Sequence, residues 1–142
     1  MPISECFSSG SSIRMNPDLI TKATEALHKA LAPYSGFKVG AAIRTRQGRI
    51  YTGCNIENAS YGLSVCAERV ALWKALSEGA RDFAEIAVVT EAETLTSLCG
   101  ACRQVLWEYC GDIPVQLHSL KGLDEHHRLS ELLPFPFDAR SL

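Results

Sequence analysis

The chain has 142 residues, of which 46% are hydrophobic and 21% are charged, and its formal net charge at pH 7 is −2. This length and composition are typical of one globular domain with a hydrophobic core, and they exclude an intrinsically disordered protein. The near balance of acidic and basic residues gives no electrostatic footprint for a nucleic-acid backbone, and no stretch approaches the roughly 20 apolar residues of a membrane span. We therefore expect a small, nearly neutral ligand, with neither nucleic acid nor a membrane as a partner.

The N-terminal segment differs in composition from the rest of the chain. Residues 1–15 include five Ser and one Gly and contain no apolar run, and we expect a flexible, dispensable tail. The remainder, residues 16–142, contains no internal repeat and is expected to form a single domain. Because the first residues lack the apolar run of a secretory signal, we expect reduced cysteines and a cytoplasmic location.

The domain alternates between helical and strand patterns. The first helix begins with the capping residue Asn16 and with Pro17. Its apolar face carries Ile20, Ala23, Leu27 and Leu31. The elements that follow are strands over residues 39–44 and 50–54, a helix over 66–77, a strand over 86–89, a helix over 100–110, a strand over 114–118, a turn over 121–127, a short strand at 128–129 and a short helix from 130. This order predicts a single three-layer α/β/α sandwich with a mixed sheet of about five strands.

Gly40 and Gly53 lie inside strands, which indicates that a ligand or a helix packs close to the backbone there.

Three thiols and one carboxylate fall at the starts of two predicted helices. Cys99 and Cys102 are three residues apart on one helix, so both sulfurs can point at a single ion. Cys66 offers a third thiol, and Glu68 follows two residues later. Three thiolates fill three corners of a zinc tetrahedron and leave the fourth for water, whereas a structural zinc site closes all four corners. The pattern therefore predicts a zinc ion that activates water, with Glu68 moving the protons.

Other interpretations of the cysteines stay open. Cys99 and Cys102 alone also fit a thiol oxidoreductase, because Cys-Gly-x-Cys is a redox pattern. A zinc-stabilised module without enzymatic activity is a further alternative. Cys54 and Cys110 lie in apolar patterns and are expected to be small buried hydrophobic residues. Cys6 lies in the tail, and no role is assigned to it.

Several short motifs carry a family resemblance. They are residues 32–42 (APYSGFKVGAA), 53–59 (GCNIENA), 66–69 (CAER), 99–104 (CGACRQ) and 131–134 (ELLP). Together they closely resemble the small three-cysteine cytidine deaminases of pyrimidine salvage, within the cytidine and deoxycytidylate deaminase superfamily. The likeness runs from about residue 17 to residue 137. Leu98 is a departure, because the family pattern has Pro before the Cys-x-x-Cys. Since that Pro ligates nothing, we expect a change in loop stiffness and no loss of metal.

The resemblance implies an activity and a zinc site. The activity is hydrolytic deamination of cytidine and deoxycytidine to uridine and deoxyuridine plus ammonia, with residues 16–142 as the catalytic domain. It implies one Zn²⁺ per subunit, held by the three cysteines Cys66, Cys99 and Cys102. Glu68 would serve every proton transfer. Zn²⁺ and three thiolates together carry a net charge of −1. Arg69 is therefore expected to reduce the negative charge on the sulfurs. Arg103 is expected to be a structural or surface residue.

The resemblance also implies a substrate pocket. The predicted substrate-binding residues are Phe37, Asn55, Glu57, Ala67 and Tyr61. Phe37 would stack on the pyrimidine, the Ala67 backbone would donate to the base carbonyl, and the side chains of Asn55 and Glu57 would hold the ribose hydroxyl. A deaminase for another base-bearing compound, such as a nucleoside antibiotic, is an alternative that the ribose-binding pattern disfavours.

The same family implies an assembly. Its three-cysteine form is a homotetramer in which neighbouring subunits help to line each pocket. We therefore expect a homotetramer, with Phe137 as a possible contributor to the pocket of an adjacent subunit.

Overall fold

A mixed five-stranded sheet runs through the middle of the molecule. The structure, a computed structural model, describes residues 15–142. The strands are β1 (Val39–Thr45), β2 (Ile50–Cys54), β3 (Phe83–Thr90), β4 (Pro114–Ser119) and β5 (Asp124–Arg128). Their order across the sheet is β2-β1-β3-β4-β5, and only the β3–β4 pair is parallel. The mixed sheet of five strands confirms the prediction.

Helices cover both faces of this sheet. They are α1 (Asp18–Leu27), α2 (Ala67–Ser77), α3 (Gly100–Cys110) and the short α4 (Leu129–Leu132), with 3-10 turns at Tyr61–Leu63 and Ala139–Ser141. One buried cluster lies between α1 and the sheet, and a larger one lies under α2 and α3. Strand β3 contributes to both clusters, which explains why it is an almost continuous apolar run. The predicted three-layer α/β/α sandwich is confirmed. None of the helices within residues 15–142 has the length and apolar content of a membrane span.

Two glycines let the helices approach the sheet closely. A Cβ on Gly40 would lie 1.9 Å from the carbonyl oxygen of Ala23 in α1. A Cβ on Gly53 would lie 2.4 Å from the backbone nitrogen of Ala71 in α2. Both glycines therefore fit beneath a helix backbone, which decides between the two explanations that the sequence left open. Gly53 matters for function, because α2 carries Glu68.

The structure corrects two sequence predictions. Residues 124–127 were expected in a turn, but they belong to β5, an exposed edge strand that pairs with β4. Leu31 was placed on the buried face of the first helix, but α1 ends at Leu27 and Leu31 is exposed. The predicted tail falls outside the described residues except for Met15, which packs against the cluster under α1.

Candidate active site

Three cysteine sulfurs meet where α2 and α3 begin. Cys66 is the N-cap residue of α2, Cys99 is the N-cap residue of α3, and Cys102 lies in the first turn of α3. The three sulfur atoms all lie within 4.8 Å of one another, and the Sγ atoms of Cys66 and Cys99 are 3.7 Å apart. No other cluster of metal-binding side chains of this kind occurs within residues 15–142. The predicted set of three thiols is thus brought together in space.

The spacing of these sulfurs fits a zinc ion. A Zn–S bond of about 2.3 Å and tetrahedral angles place two sulfur ligands about 3.8 Å apart. The observed 3.7 Å between the Cys66 and Cys99 sulfurs agrees with that separation. The cluster contains three ligands rather than the four of a closed structural site. This donor set therefore suits a zinc ion that also binds water or substrate.

The environment of Cys66 favours its thiolate form. Hydrogen bonding with Cys102, and to a smaller degree with Arg69 and Cys99, lowers the pKa of the Cys66 thiol to about 5 against an opposing effect of burial. The same hydrogen bond, together with burial, raises the pKa of Cys102. One sulfur is therefore ionised at neutral pH before a metal binds, and thiolate is the form that ligates zinc.

Arg69 lies against the sulfur cluster, as the sequence predicted. Its Nη2 donates to the Cys66 sulfur at 3.5 Å, and this contact is the main cause of the raised pKa of Arg69. The guanidinium carbon also lies 5.8 Å from the centre of the Trp73 ring. A permanently charged group thus stands beside the Cys66 sulfur.

Glu68 is a buried carboxyl group beside the same cluster. Only 4% of its surface is exposed, and burial raises its pKa from 4.5 to about 7. A carboxyl group with a pKa near neutrality can both accept and donate protons at the working pH. This is the combination of location and acidity that a proton-transfer residue requires.

A cavity of about 340 Å³ opens beside Glu68 and the sulfurs. It lies beside the strand ends where β1 begins and where β2 and β3 finish, since Val39 pairs with Thr90 and Gly40 pairs with Cys54. The chain that leaves β2 leads to Cys66, and the chain that leaves β3 leads to Cys99. The cavity is lined by Ser35, Phe37, Val39, Asn55, Glu57, Ser64, Val65, Cys66, Ala67, Glu68, Val88, Thr96, Ser97 and Cys99.

Asn55 and Glu57 line this cavity and also shape its outer wall. The Asn55 amide donates to the Phe37 carbonyl at 2.7 Å, and its oxygen accepts from the Val39 amide at 2.9 Å. Glu57 accepts hydrogen bonds from the backbone of Tyr34 and from both the backbone and the hydroxyl of Ser35. The hydrogen bonds from Ser35 hold the pKa of Glu57 below its usual value, so this carboxylate is ionised at neutral pH.

Comparison with known proteins identifies the family. The family model described as "Cytidine and deoxycytidylate deaminase zinc-binding region" matches residues 14–115, which include the three cysteines and Glu68. The chain belongs to this family. Because the matched region is a zinc-binding region and contains the three-sulfur cluster, zinc is the cofactor, and Cys66, Cys99 and Cys102 form the site able to hold it.

Individual members of this deaminase family are similar to the chain over most of its length. A cytidine deaminase of Sporosarcina psychrophila is 48% identical over 125 residues, covering 87% of this chain and 92% of that protein. A cytidine deaminase of Halalkalibacterium halodurans is 50% identical over 125 residues, covering 87% and 95%. The crystal structure of cytidine deaminase from Burkholderia pseudomallei matches with a TM-score of 0.84 at 47% identity, covering 87% of this chain and 100% of that one.

Two of the residues predicted to line the substrate pocket, Tyr61 and Phe137, do not line this cavity. Tyr61 is 75% exposed and packs edge-to-face against Tyr34, with ring centres 6.0 Å apart. Phe137 is 62% exposed and lies in the C-terminal segment, where Gln104 of α3 donates to its carbonyl. Within a single chain, neither aromatic side chain is among the residues that line the cavity.

Several lining residues were not predicted from the sequence. Val88 lies in β3, and Thr96 and Ser97 lie in the connection before Cys99. Thr96 and Ser97 could have been predicted to line the cavity, because they lie three and two residues before the predicted ligand Cys99. Val88 had no such signal, because only the sheet brings it to the cavity.

Proposed function

We propose that this protein is a zinc-dependent hydrolase that converts cytidine and deoxycytidine to uridine and deoxyuridine, with release of ammonia. The observation that carries this proposal is a buried carboxyl group, Glu68, in one cavity with Cys66 and Cys99, whose sulfurs form a cluster with that of Cys102. The relatives named above are cytidine deaminases, which supports cytidine as the substrate. Such an activity suits pyrimidine salvage, and thiols that must stay reduced to bind zinc suit the cytoplasm.

The proton transfers fall to Glu68. Cys66, Cys99 and Cys102 would hold the zinc ion, which would supply the Lewis acidity that makes a water molecule nucleophilic at neutral pH. Glu68 accepts the proton of that water and delivers it to ring nitrogen 3 of cytosine while the oxygen adds to carbon 4. The same carboxylate then carries the second proton to the amino group, which leaves as ammonia. Its pKa of about 7 lets one residue act in both directions.

Arg69 assists by reducing the charge on the sulfurs. Three thiolates would leave a Zn²⁺ site with a net charge of −1, which opposes the ionisation of water. The hydrogen bond from Arg69 to Cys66 draws charge away from that sulfur.

The remaining cavity residues suit a nucleoside. Phe37 offers a ring face at the cavity wall, and the backbone N–H of Ala67 lies in the first turn of α2, where helix donors lack helical partners. Asn55 and Glu57 each keep hydrogen-bonding capacity beyond the contacts that they already make, which is what recognition of a sugar hydroxyl requires. We assign the pyrimidine to Phe37 and Ala67 and the sugar to Asn55 and Glu57.

The assembly that we propose is a homotetramer of this chain. A single chain leaves four large apolar side chains exposed: Tyr61, Leu63, Phe135 and Phe137. Their burial against neighbouring copies would remove apolar surface from water and complete the pocket walls. Sedimentation of a stable, fully active monomer would overturn this assembly.

A substrate panel tests the proposed activity. Cytidine, deoxycytidine, free cytosine and adenosine are each incubated with the purified protein. The products are then separated by chromatography. We expect uridine, deoxyuridine and an equal amount of ammonia, and no reaction of adenosine. Turnover of a nucleoside antibiotic with none of cytidine would contradict the proposal, as would reduction of insulin disulfides by the zinc-free protein.

A further inference from the structure

Arg103 links the zinc-ligand segment to the C-terminal part of the domain. Its Nε donates to the Leu98 carbonyl at 2.8 Å, and its Nη2 donates to the Ser97 hydroxyl at 2.9 Å. Its Nη1 donates to the Leu132 carbonyl at the end of α4. We propose that Arg103 is a positioning residue. It fixes the direction of the Cys99 side chain and the part of the cavity wall that the residues just before Cys99 form.

The backbone on both sides of Cys99 is held by this one residue. The Arg103 side chain binds the carbonyl of the peptide that precedes Cys99, and the Arg103 backbone amide donates to the Cys99 carbonyl at 3.1 Å. The direction of a Cα–Cβ bond is determined by the backbone atoms on either side of it. The amide hydrogen bond is a helical one that any residue except proline would keep. The arginine side chain adds the bond to the Leu98 carbonyl, and the direction of the Cys99 side chain depends on Arg103 through that bond.

Cys99 needs this support more than the other two ligands. Cys102 is buried in the core, and Cys66 is half-buried and receives the Arg69 hydrogen bond. Cys99 is exposed and follows a connection without regular structure. The backbone contacts of Arg103 therefore replace the packing that restrains the other sulfurs.

An arginine suits this position for a geometric reason. Its planar guanidinium presents several donors in a fixed fork, and here three different nitrogens reach three acceptors in two separate segments. The Leu132 end of the link is itself anchored, because the Leu129 amide at the start of α4 donates to the Ile113 carbonyl at 3.0 Å. A lysine keeps the charge but has a single nitrogen, so it cannot hold the same three acceptors.

This inference rests on the proposed zinc ligation by Cys99, and its test needs no substrate. Zinc release from the loaded protein to an excess of a chromogenic chelator is compared for the parent and for Arg103→Lys. Loss of a partner outside the ligands typically weakens metal binding about 10–100-fold. We expect Arg103→Lys to lower zinc affinity by about tenfold, and Ser97→Ala, which removes one acceptor and leaves the core intact, to lower it by a few-fold.

Two controls separate positioning from general destabilisation. Arg81→Lys also removes an arginine that donates to two backbone carbonyls, at the end of α2 remote from Cys66. Glu131→Gln weakens the start of α4, where Glu131 accepts from the Arg128 amide, and leaves residues 97–99 untouched. We expect both control variants to release zinc as the parent does, even where the thermal midpoint falls.

Each remaining outcome decides against the inference. Parental zinc release by both Arg103→Lys and Ser97→Ala would show that Cys99 is positioned without Arg103. An equal effect of Glu131→Gln would show that the contribution passes through the docking of α4. Because zinc release is measured without cytidine, a parent protein that fails to deaminate would overturn the proposed function and leave this comparison valid.

Discussion

Replacing Glu68 by glutamine separates the stability effect of its charge from its role in catalysis. The pKa of Glu68 is raised from 4.5 to about 7 because the carboxylate is buried. In the zinc-free protein, ionised Glu68 therefore costs about 3 kcal/mol of stability, at about 1.4 kcal/mol for each pH unit between the two values. The folded state holds the proton more tightly than the unfolded state, so this stability is present below pH 4.5 and is lost as the pH rises to about 7. Glutamine stays neutral and removes that pH dependence.

Urea unfolding of the zinc-free proteins measures this difference. At about pH 8.5 we expect Glu68→Gln to be more stable than the parent by up to about 3 kcal/mol, and at about pH 4 we expect equal stability. Glu78→Gln is the matched control, because Glu78 is exposed at the other end of α2. It should follow the parent at both pH values. A Glu68→Gln variant that loses stability at high pH would contradict the buried environment described for this group.

The same variant should lose nearly all activity. General acid–base catalysis by one group contributes about 10²–10⁴-fold, and in the proposed reaction Glu68 serves both proton transfers, so we expect a loss of turnover of at least about 10⁴-fold. Zinc content and cytidine affinity should change far less, because the cysteines, Phe37, Asn55 and Glu57 are untouched. A zinc-loaded Glu68→Gln protein that deaminates cytidine within about tenfold of the parent would refute the proton-transfer role.

Three further changes test the zinc site, the helix contact and the tail. Cys102→Ala should lose zinc and much of the stability of the loaded protein, whereas Cys110→Ala should keep full zinc content in elemental analysis. Gly53→Ala should cost about 1–3 kcal/mol or more in urea unfolding, because the new Cβ would lie 2.4 Å from the Ala71 nitrogen; unchanged stability would contradict the close contact. Removal of residues 1–14 should leave turnover nearly intact, and a large drop would assign the tail to the site or the assembly.

The sequence predicted the strands whose side chains are buried in a regular pattern, but it placed the exposed last strand at 128–129 instead of Asp124–Arg128. In β2 and β4 alternate side chains enter the core, so burial follows the period of a strand, whereas β1 is buried on both faces. Strand β5 reads Asp-Glu-His-His-Arg, is exposed at the sheet edge, and takes its stability from pairing with β4. One such contact is the 2.9 Å hydrogen bond between His118 and Asp124. An all-polar edge strand leaves no hydrophobic pattern to detect.

The site was predictable where its chemistry is local in the chain. Cys99 and Cys102 share one helical turn, and Glu68 follows Cys66 by two residues. Only one long-range contact, between the starts of the two helices, therefore had to be assumed. Arg103 gave no comparable signal, because its contact with Leu132 spans 29 positions of the chain. The roles of Gly40 and Gly53 likewise needed the packing of helices on the sheet.

The central claim is that a zinc ion at the three cysteines is required for deamination of cytidine. The decisive measurement is zinc content together with the loss of cytidine absorbance, made on one preparation before chelation, after chelation and after zinc is restored. We expect about one zinc per chain and rapid deamination at first, neither after chelation, and both again once zinc returns. Undiminished deamination by the zinc-free protein, or none by the zinc-loaded protein, would contradict the claim.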